Sequence, residues 1–477
     1  MRRLAPALVL VCFLALAGAA SAAKPFNLGS GRNPDVAVDP DGTGHFVWDE
    51  VNPGGDDPLR YCQVPRGGTA CTVSKTFHPP LEASGRSSYI FVQGATVRIV
   101  SHRCCGNGEG VALYSSSDGG DTFGELPEYL GNIDFDEAAV LGADDAIHGA
   151  NRREYLRMPI GPGPAQNPVD IEPGFSVPTH AGLGLFGGTI PVLVRADGDD
   201  TTFNRYDGTG NVNTAANWTA PTPLTPPGDE PELASGAKGL AMLYVVDVAG
   251  PGRQLVARKF NGTAFGLPIG VSEKADPIEH DLFAAPGTGA FHAVWNDNRS
   301  PNKLKWRTSP DGIAWGKTAV LAKGAAVDAG FAYQVAAAHD RQGFATWDEL
   351  DNTGRVRAIA LDTLGGRQVD STTVAGKEYR LFAPDACVAK GTDALLRVTQ
   401  KQLKKVPKSK RKKIDQVKFL VDATSNTDKK SPWQKSFSTA GFASKSTHQA
   451  KAKVRLKPVD GDGAKTTKTL AGTFSIC

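Results

Sequence analysis

The sequence predicts an all-β fold: a β-propeller of seven blades, six being the alternative, followed by a small β-sandwich. Three observations carry this. Gly (54) and Pro (32) are abundant and Met is scarce (3) among 477 residues, a balance that favours turns and short strands over long helices. A unit of two apolar stretches joined by a small turn recurs about every fifty residues, the period of four-stranded propeller blades. Near Lys377 the charge balance reverses.

The first 22 residues form a separate unit. Arg2 and Arg3 precede the apolar run "LAPALVLVCFLALAG", and Ala20-Ser21-Ala22 offers a small-residue cleavage site. Residues 1–22 read as a secretory signal peptide, because the run falls short of the ~20 residues that a membrane span needs. The mature chain is expected to be secreted and extracellular or attached to the cell surface, with no transmembrane segment after cleavage.

Residues 24–375 carry the repeats. Their hairpins are "PDVAVDPDGTGHFVWDE" from Pro34, "SYIFVQGATVRIVSHR" from Ser88, "DEAAVLGADDAIHGANRR" from Asp136 and "HAGLGLFGGTIPVLVRAD" from His180. "EPELASGAKGLAMLYVVD" from Glu230, "HDLFAAPGTGAFHAVWND" from His280 and "FAYQVAAAHDRQGFATWDE" from Phe331 complete seven. Third strands such as "LRYCQV", "VALYSSS", "LKWRTS" and "VRAIAL" alternate as half-buried antiparallel strands do. The ring is expected to close near Val374.

Export gives the cysteines a disulfide role. Cys62 and Cys71 flank a Gly-Gly turn and suit a hairpin bridge; Cys387 and Cys477 bracket the last segment and form a second expected pair. Cys104 and Cys105 are adjacent, so a bond between them would be strained; two free thiols or a swap with Cys62 and Cys71 stay open. No cysteine has metal-site spacing with His, and neither metal nor cofactor is expected. "DPDGTG" from Asp39 lacks the ligand count of a Ca²⁺ loop.

Between third and fourth strands of the second repeat stands "SSSDGGDTF". Ser116, Asp118, Gly120, Thr122 and Phe123 fit Ser-x-Asp-x-Gly-x-Thr-aromatic. A shortened copy holds Ser309, Asp311, Gly312 and Trp315, and "KFNGTAFG" from Lys259 is a decayed relative. These motifs resemble the Asp-box of sialidase-like propellers. The residue chemistry predicts fold staples: Asp accepts backbone N–H groups of its own turn, Gly supplies positive φ, and the aromatic packs between sheets. The resemblance implies that these turns lie opposite the ligand face.

From Lys377 to Cys477 there are 23 Lys plus Arg against 8 Asp plus Glu, about +15, leaving about −12 for the rest. "ALLRVTQ", "QVKFLVDA", "WQKSFST", "QAKAKVRLKP" and "KTLAGTFSIC" alternate as strands. Residues 380–477 are similar to the small Ig-like β-sandwiches appended to secreted bacterial proteins. "KKVPKSKRKK" from Lys404 is the densest basic run. It lacks interleaved aromatics for base stacking, so nucleic acid is not expected; an anionic cell-envelope polymer or the acidic ring are the expected partners.

In a propeller, the entries to the inner strands and the loops from second to third strands share one face. The loops begin with Asp49, Glu50, His102, Arg103, Arg153, Arg195, Asp247, Asp297, Arg299, Asp348 and Glu349, and these are the candidate ligand-face residues. Near the inner-strand entries lie Arg32, Arg86, Asp136, Glu137, His180, Glu230, Glu232, Glu279, His280, Asp281 and Tyr333. Each residue alone is the kind that forms a solvated rim or a strand-end hydrogen bond; gathered, such groups suit a polyhydroxylated or carboxylated glycan. The resembled enzymes clamp a substrate carboxylate with three arginines and use a Tyr–Glu nucleophile and an Asp acid/base. Arg32 matches the first arginine in a motif that reads Arg-Asn-Pro rather than Arg-Ile-Pro. The resemblance implies Asp56 or Asp57, after "WDEVNPGG", as the acid/base, Tyr333 at the entry to the last inner strand as the nucleophile, and Glu279 as its distant candidate partner. The expected function is non-catalytic binding of carbohydrate or adhesion at the cell surface; the alternatives are an exo-sialidase-type hydrolase and a purely structural surface protein.

Overall fold

The computed structural model describes residues 25–50, 57–66, 68–78, 84–104, 110–124, 128–131, 138–160, 167–171, 179–197, 200–248, 252–273, 277–286, 289–297, 302–323, 334–338, 343–349, 354–361, 367–384, 393–403, 407, 411–429, 433–443, 446–459 and 464–476. These residues are almost wholly β; the one helical segment among them is the 3-10 turn Ala215–Asn217.

Each hairpin read from the sequence begins one four-stranded antiparallel sheet. A short strand, β1 (Phe26–Ser30), comes first. Sheet one is β2 (Arg32–Val38), β3 (Gly44–Asp49), β4 (Leu59–Val64) and β5 (Val73–Phe77). Sheet two is β6 (Ser84–Gln93), β7 (Thr96–Cys104), β8 (Gly110–Ser116) and β9 (Glu128–Gly131). Sheet three is β10 (Ala138–Leu141), β11 (Ala146–Ala150), β12 (Glu154–Pro159) and β13 (Val169–Asp170). Sheet four is β14 (His180–Phe186), β15 (Ile190–Ala196), β16 (Thr201–Arg205) and β17 (Thr222–Pro223). Sheet five is β18 (Asp229–Gly236), β19 (Gly239–Asp247), β20 (Arg253–Phe260) and β21 (Ile269–Gly270). Sheet six is β22 (Pro277–Ala284), β23 (Phe291–Asp297), β24 (Lys303–Ser309) and β25 (Ala319–Lys323). Sheet seven is β26 (Gln334–Ala338), β27 (Gly343–Glu349) and β28 (Arg355–Leu361), and its fourth strand is β1, paired antiparallel with β28.

The apolar residues lie between consecutive sheets. Val47, Tyr61, Ile99 and Tyr114 join sheets one and two; Val294, Leu304, Trp347 and Ile359 join six and seven. Trp48, Phe46, Phe344 and Val356 then join seven back to one. First strands of most successive sheets neighbour one another, β2 beside both β6 and β26, and β14 beside both β10 and β18. This is the packing of a propeller-like ring, in which each twisted sheet covers the next.

Within sheet two the Ser116–Phe123 turn makes its own hydrogen bonds. The Thr122 N–H and hydroxyl donate to Asp118 at 2.9 and 2.6 Å, and the Gly120 N–H donates to Ser116 Oγ at 2.9 Å. Gly120 has φ 90°, and a Cβ there would overlap the Tyr61 hydroxyl, so both conformation and space require glycine. Phe123 meets Tyr61 and Phe77 of sheet one edge-on, at 5.0 and 5.1 Å. Ser309, Asp311 and Gly312 repeat the pattern, and Trp315 packs into the core shared by sheets five and six.

The C-terminal strands form two further sheets. β29 (Arg367–Val374), β30 (Lys377–Ala383) and β31 (Asp393–Gln402) are followed by β32 (Lys412–Val421), β33 (Thr424–Asp428), β34 (Gln434–Ser438), β35 (Thr447–Pro458) and β36 (Thr466–Ser475). The orders are β29-β30-β31-β34 and β33-β32-β35-β36. One core holds them face to face, with Tyr379, Leu381 and Leu396 from the first sheet and Val417, Phe419, Val454 and Leu470 from the second. The expected closure near Val374 is corrected here: Arg367–Val374 pairs with Lys377–Ala383 in this second body. The fourth strand of sheet seven comes from the N-terminal end of the described residues, which no local pattern near Val374 marks.

Cys62 and Cys71 form a disulfide. Cys105, Cys387 and Cys477 lie outside the described residues, as does the Cys104 side chain. Among the described residues no helix is long and apolar enough to cross a membrane.

Candidate ligand-binding face

The second strands end as the register predicted: Asp49, Asp247, Asp297 and Glu349 are the last residues of β3, β19, β23 and β27. Most of these groups are held inside the sheets. Three repeats share Trp-x-acid at this end: Trp48-Asp49-Glu50, Trp295-Asn296-Asp297 and Trp347-Asp348-Glu349. Opposite each Trp on the third strand stands a cation, Arg60, Lys305 or Arg357. Each cation reaches the acid two residues beyond the Trp: Arg60 to Glu50 at 2.7 Å, Arg357 to Glu349 at 3.0 Å, and Lys305 to Asp297. Arg195 is 1% exposed and donates to the Arg153 carbonyl at 3.0 Å, and His102 is buried too. Asp247 is exposed. Arg299 and the Arg103 side chain lie outside the described residues.

The inner-strand entries are built differently. Pairing with the second strand skips between Arg32 and Asp35, Gly85 and Ser87, Asp229 and Glu232, and Pro277 and His280. Each skip is a β-bulge at the same place in its sheet, and bulges re-aim side chains. Asn33 and Glu230 take left-handed conformations there, with φ 50° and 53°, a strain of order 1 kcal/mol for a non-glycine residue.

Neighbouring sheets are tied by polar side chains at these entries. The Asn33 N–H donates to Asp348 at 3.2 Å, the Ile90 N–H to Asp35 at 2.7 Å, and His280 Nε2 to the Glu230 carbonyl at 2.8 Å. His180 Nδ1 meets Asp229 at 2.7 Å, and Arg253 lies 3.7 Å from Glu230.

These ties concentrate acid. Burial pushes Glu279 up to about 8, and the carboxylates of Glu230 and Asp348 add to it against His180. Burial also raises Glu230, and it pushes Asp35 up to about 7, with Asp281 adding. Burial drives His280 down to about 4, so it is neutral, whereas the His180 hydrogen bond holds Asp229 below the ordinary range. At neutral pH the cluster therefore offers carboxylate acceptors, a protonated Glu279 as donor, and the Arg253 guanidinium.

Of the residues carried from the family resemblance, Arg32 and Asp57 come together in a 2.8 Å salt bridge with Asp57 buried. Tyr333 lies outside the described residues, as do Asp56, Asp136 and Glu137. Glu279 lies within electrostatic reach of Glu230, Asp348 and His180. Sequence reasoning missed Asp35, Asp229 and Arg253. Arg253 begins β20 opposite Asp247, so reading the far ends of the second-to-third loops would have found it. Among the described residues no group of His, Cys, Asp and Glu is placed to hold a metal ion.

No family model and no curated protein matches this chain. Similar solved structures include the Penicillium chrysogenum alpha-L-arabinanase complexed with arabinobiose, at 11% identity and TM-score 0.42 over 72% of this chain and 99% of that one. They also include the Trypanosoma rangeli sialidase in complex with the inhibitor DANA, at 10% identity and TM-score 0.34 over 94% and 88%. A third is a mutant Aleuria aurantia lectin in complex with alpha-methyl-L-fucoside, at 9% identity and TM-score 0.35 over 71% and 98%. These neighbours are β-propeller folds, and at this level of similarity they assign no ligand and no chemistry to this chain.

Proposed function

We propose that the chain is an exported seven-bladed propeller with an Ig-like C-terminal sandwich, and that it binds a polyhydroxylated carbohydrate without hydrolysing it. One observation carries the reading. Carboxyl groups gather at bulged, strained inner-strand entries, while Glu50, Asp297 and Glu349 at the second-strand ends are spent on cations of their own sheets. Carboxylate acceptors beside a protonated carboxyl and a guanidinium offer both acceptors and donors to neutral sugar hydroxyls, and the surplus of acidic groups disfavours a sugar acid.

The experiment is a glycan array probed with the mature chain and with Glu230→Gln/Glu279→Gln. Binding to neutral oligosaccharides, weakened about tenfold or more in the variant, is expected, a change of about 1.4 kcal/mol. The exo-sialidase-type alternative is favoured by one observation, the proton that Glu279 keeps at neutral pH, as a general acid would. Against it, the guanidinium of Arg32 is already neutralised by Asp57. Release of a fluorescent aglycone from a sialoside, lost in Arg32→Ala and Tyr333→Phe, would establish the hydrolase. Silence in both assays would leave a structural surface protein.

A further inference from the structure

The outward face of sheet β33-β32-β35-β36 carries a ladder of cations. Its inward residues, Val417, Phe419, Ala452, Val454 and Leu456, are buried in the sandwich core. Alternation therefore turns Lys418, Lys451, Lys453, Arg455 and Lys457 outward. Register places Lys418 directly opposite Lys453, and Lys413 directly opposite Lys457. Like charges directly opposite on adjacent strands repel and destabilise a sheet.

The acid supply does not offset this. Asp415, on the bulge of β32, is shared by Arg455 at 2.7 Å, Lys457 at 3.0 Å and Lys465 at 3.7 Å. Asp422, at the turn beyond, is engaged by His448 at 2.6 Å. Lys413, Lys418 and Lys453 are exposed and make no ion pair among the described residues. Hydroxyls stand among the flanking positions on the same face, Thr427 beside Lys418, Thr469 beside Lys453 and Thr467 beside Arg455, together with Gln416 beside Arg455 and with Leu420 and Ala471 beside Lys451. From Lys451 to Lys457 the row runs about 20 Å along one strand.

We propose that this face is a docking surface for a linear anionic polysaccharide. Regularly spaced cations at mutual repulsion are a standing cost that a polyanion converts into attraction. Lysines present point charges, and the threonines add hydroxyl hydrogen bonds suited to sugar and sulfate oxygens. No aromatic residue occupies the outward positions of this ladder, which removes the stacking platform that a single-stranded nucleic acid would use. The basic run "KKVPKSKRKK", singled out in the sequence, lies mostly outside the described residues; its end, Arg411 to Lys413, leads into β32. The surface shares no element with the propeller face, so its test is independent of the glycan reading above.

The test uses the full mature chain with dextran sulfate and polygalacturonate as probes, and neutral dextran and a short DNA duplex as comparators, at low and moderate salt. The charge-swapped variant is Lys418→Glu/Lys451→Glu/Lys453→Glu; a control variant places Glu at Lys377, Lys401 and Lys435 of the other sheet. Binding to at least one anionic polysaccharide that weakens with salt is expected, with a loss of about tenfold or more in the ladder variant and little change in the control. A single Lys418→Glu turns a like-charge pair into an opposite one, so its Tm should hold or rise while its affinity falls, separating lost binding from lost folding. Equal losses in ladder and control variants, binding of neutral dextran as strong as of the polyanions, tighter binding of DNA than of either polysaccharide, or no polyanion binding at low salt would each overturn the proposal.

Discussion

Glu279 is a carboxyl that the fold keeps protonated, and this has a thermodynamic signature. Its folded pKa, about 8, lies above the unfolded value near 4.5, so the folded state binds more protons between these limits. Stability therefore falls as pH rises from about 4.5 to 8 and flattens above. Glu279→Gln removes one titrating group, so urea unfolding from pH 5 to 9 should show a shallower slope and a gain on the order of 1–3 kcal/mol at pH 9, discounting for its partial exposure. Asp35, raised to about 7 by burial, leaves a residual slope of the same sign. A slope unchanged in Glu279→Gln would place that proton elsewhere. A second cluster looks chemical but is closed. Ser446 Oγ stands 2.6 Å from His448 Nε2, and His448 Nδ1 2.6 Å from Asp422, the spacing of a nucleophile triad. Yet the Ser446 hydroxyl also donates to the Ala443 carbonyl, so its single proton is spent, and the imidazole is stacked 3.9 Å from Phe442 with Phe474 nearby. A fluorophosphonate should leave Ser446 unlabelled; labelling detected by mass spectrometry would contradict this. Single residues were only partly legible in the sequence. The charges at the strand ends were visible, but whether Glu50, Asp297 and Glu349 faced solvent depended on Arg60, Lys305 and Arg357, one strand away in space and eight to ten residues away in the chain.

Elements were the most legible scale, because alternation and turn chemistry are local. All seven hairpins were read with their strands, since a period-two pattern bounded by Gly and Asp has few other solutions. The turns after the third strands show the limit. Phe123, Phe265 and Trp315 were read as wedges from their motifs, and each packs between its own sheet and the preceding one. Trp218 does the same in sheet four, meeting Tyr155 of sheet three at 4.8 Å. It escaped notice because its turn, from Asp207, is lengthened by the 3-10 segment and keeps only Asp207 with its bonds to Thr209. Trp218 is 7% exposed, so Trp218→Ala should cost about 3–5 kcal/mol, and more than Phe123→Ala, whose ring is less buried. Urea midpoints at constant m-value provide the measurement, and a Trp218→Ala loss below that of Phe123→Ala would remove the wedge role. In the sandwich, β36 approaches β29 so closely that a Cβ on Gly472 would clash with Val369. Gly472→Ala should cost on the order of 1–3 kcal/mol, and Val369→Gly should recover part of it.

Closure belongs to the whole molecule, and it rests on the strand the sequence did not foresee. Phe26 to Ser30 is short and half polar, so nothing local marks it as the partner of a strand more than three hundred residues away. The register pairs Phe26 with Ala358 and Ser30 with Arg355; the Gly31 N–H donates to the Gly354 carbonyl, and the Trp48 indole donates to the Ser30 carbonyl at 3.0 Å. Phe26 also meets Phe344 edge-on, so β1 contributes to the core joining the last sheet to the first. Without β1, that joint loses an outer strand and leaves the β28 edge unpaired, while the six other joints keep their contacts. A chain lacking residues 24–30 should therefore still show β-rich circular dichroism, but with a lower and broader thermal transition for the propeller. It should also lose carbohydrate binding, because Asn33 and Asp348, hydrogen-bonded across that joint, position neighbouring inner-strand entries. The C-terminal sandwich has a separate core, so anionic polysaccharide binding should survive the truncation. Calorimetry alongside the two binding assays separates these outcomes: parallel loss of both activities would mean that the two bodies fold as one unit, and loss of neither would mean that the ring does not depend on its N-terminal strand.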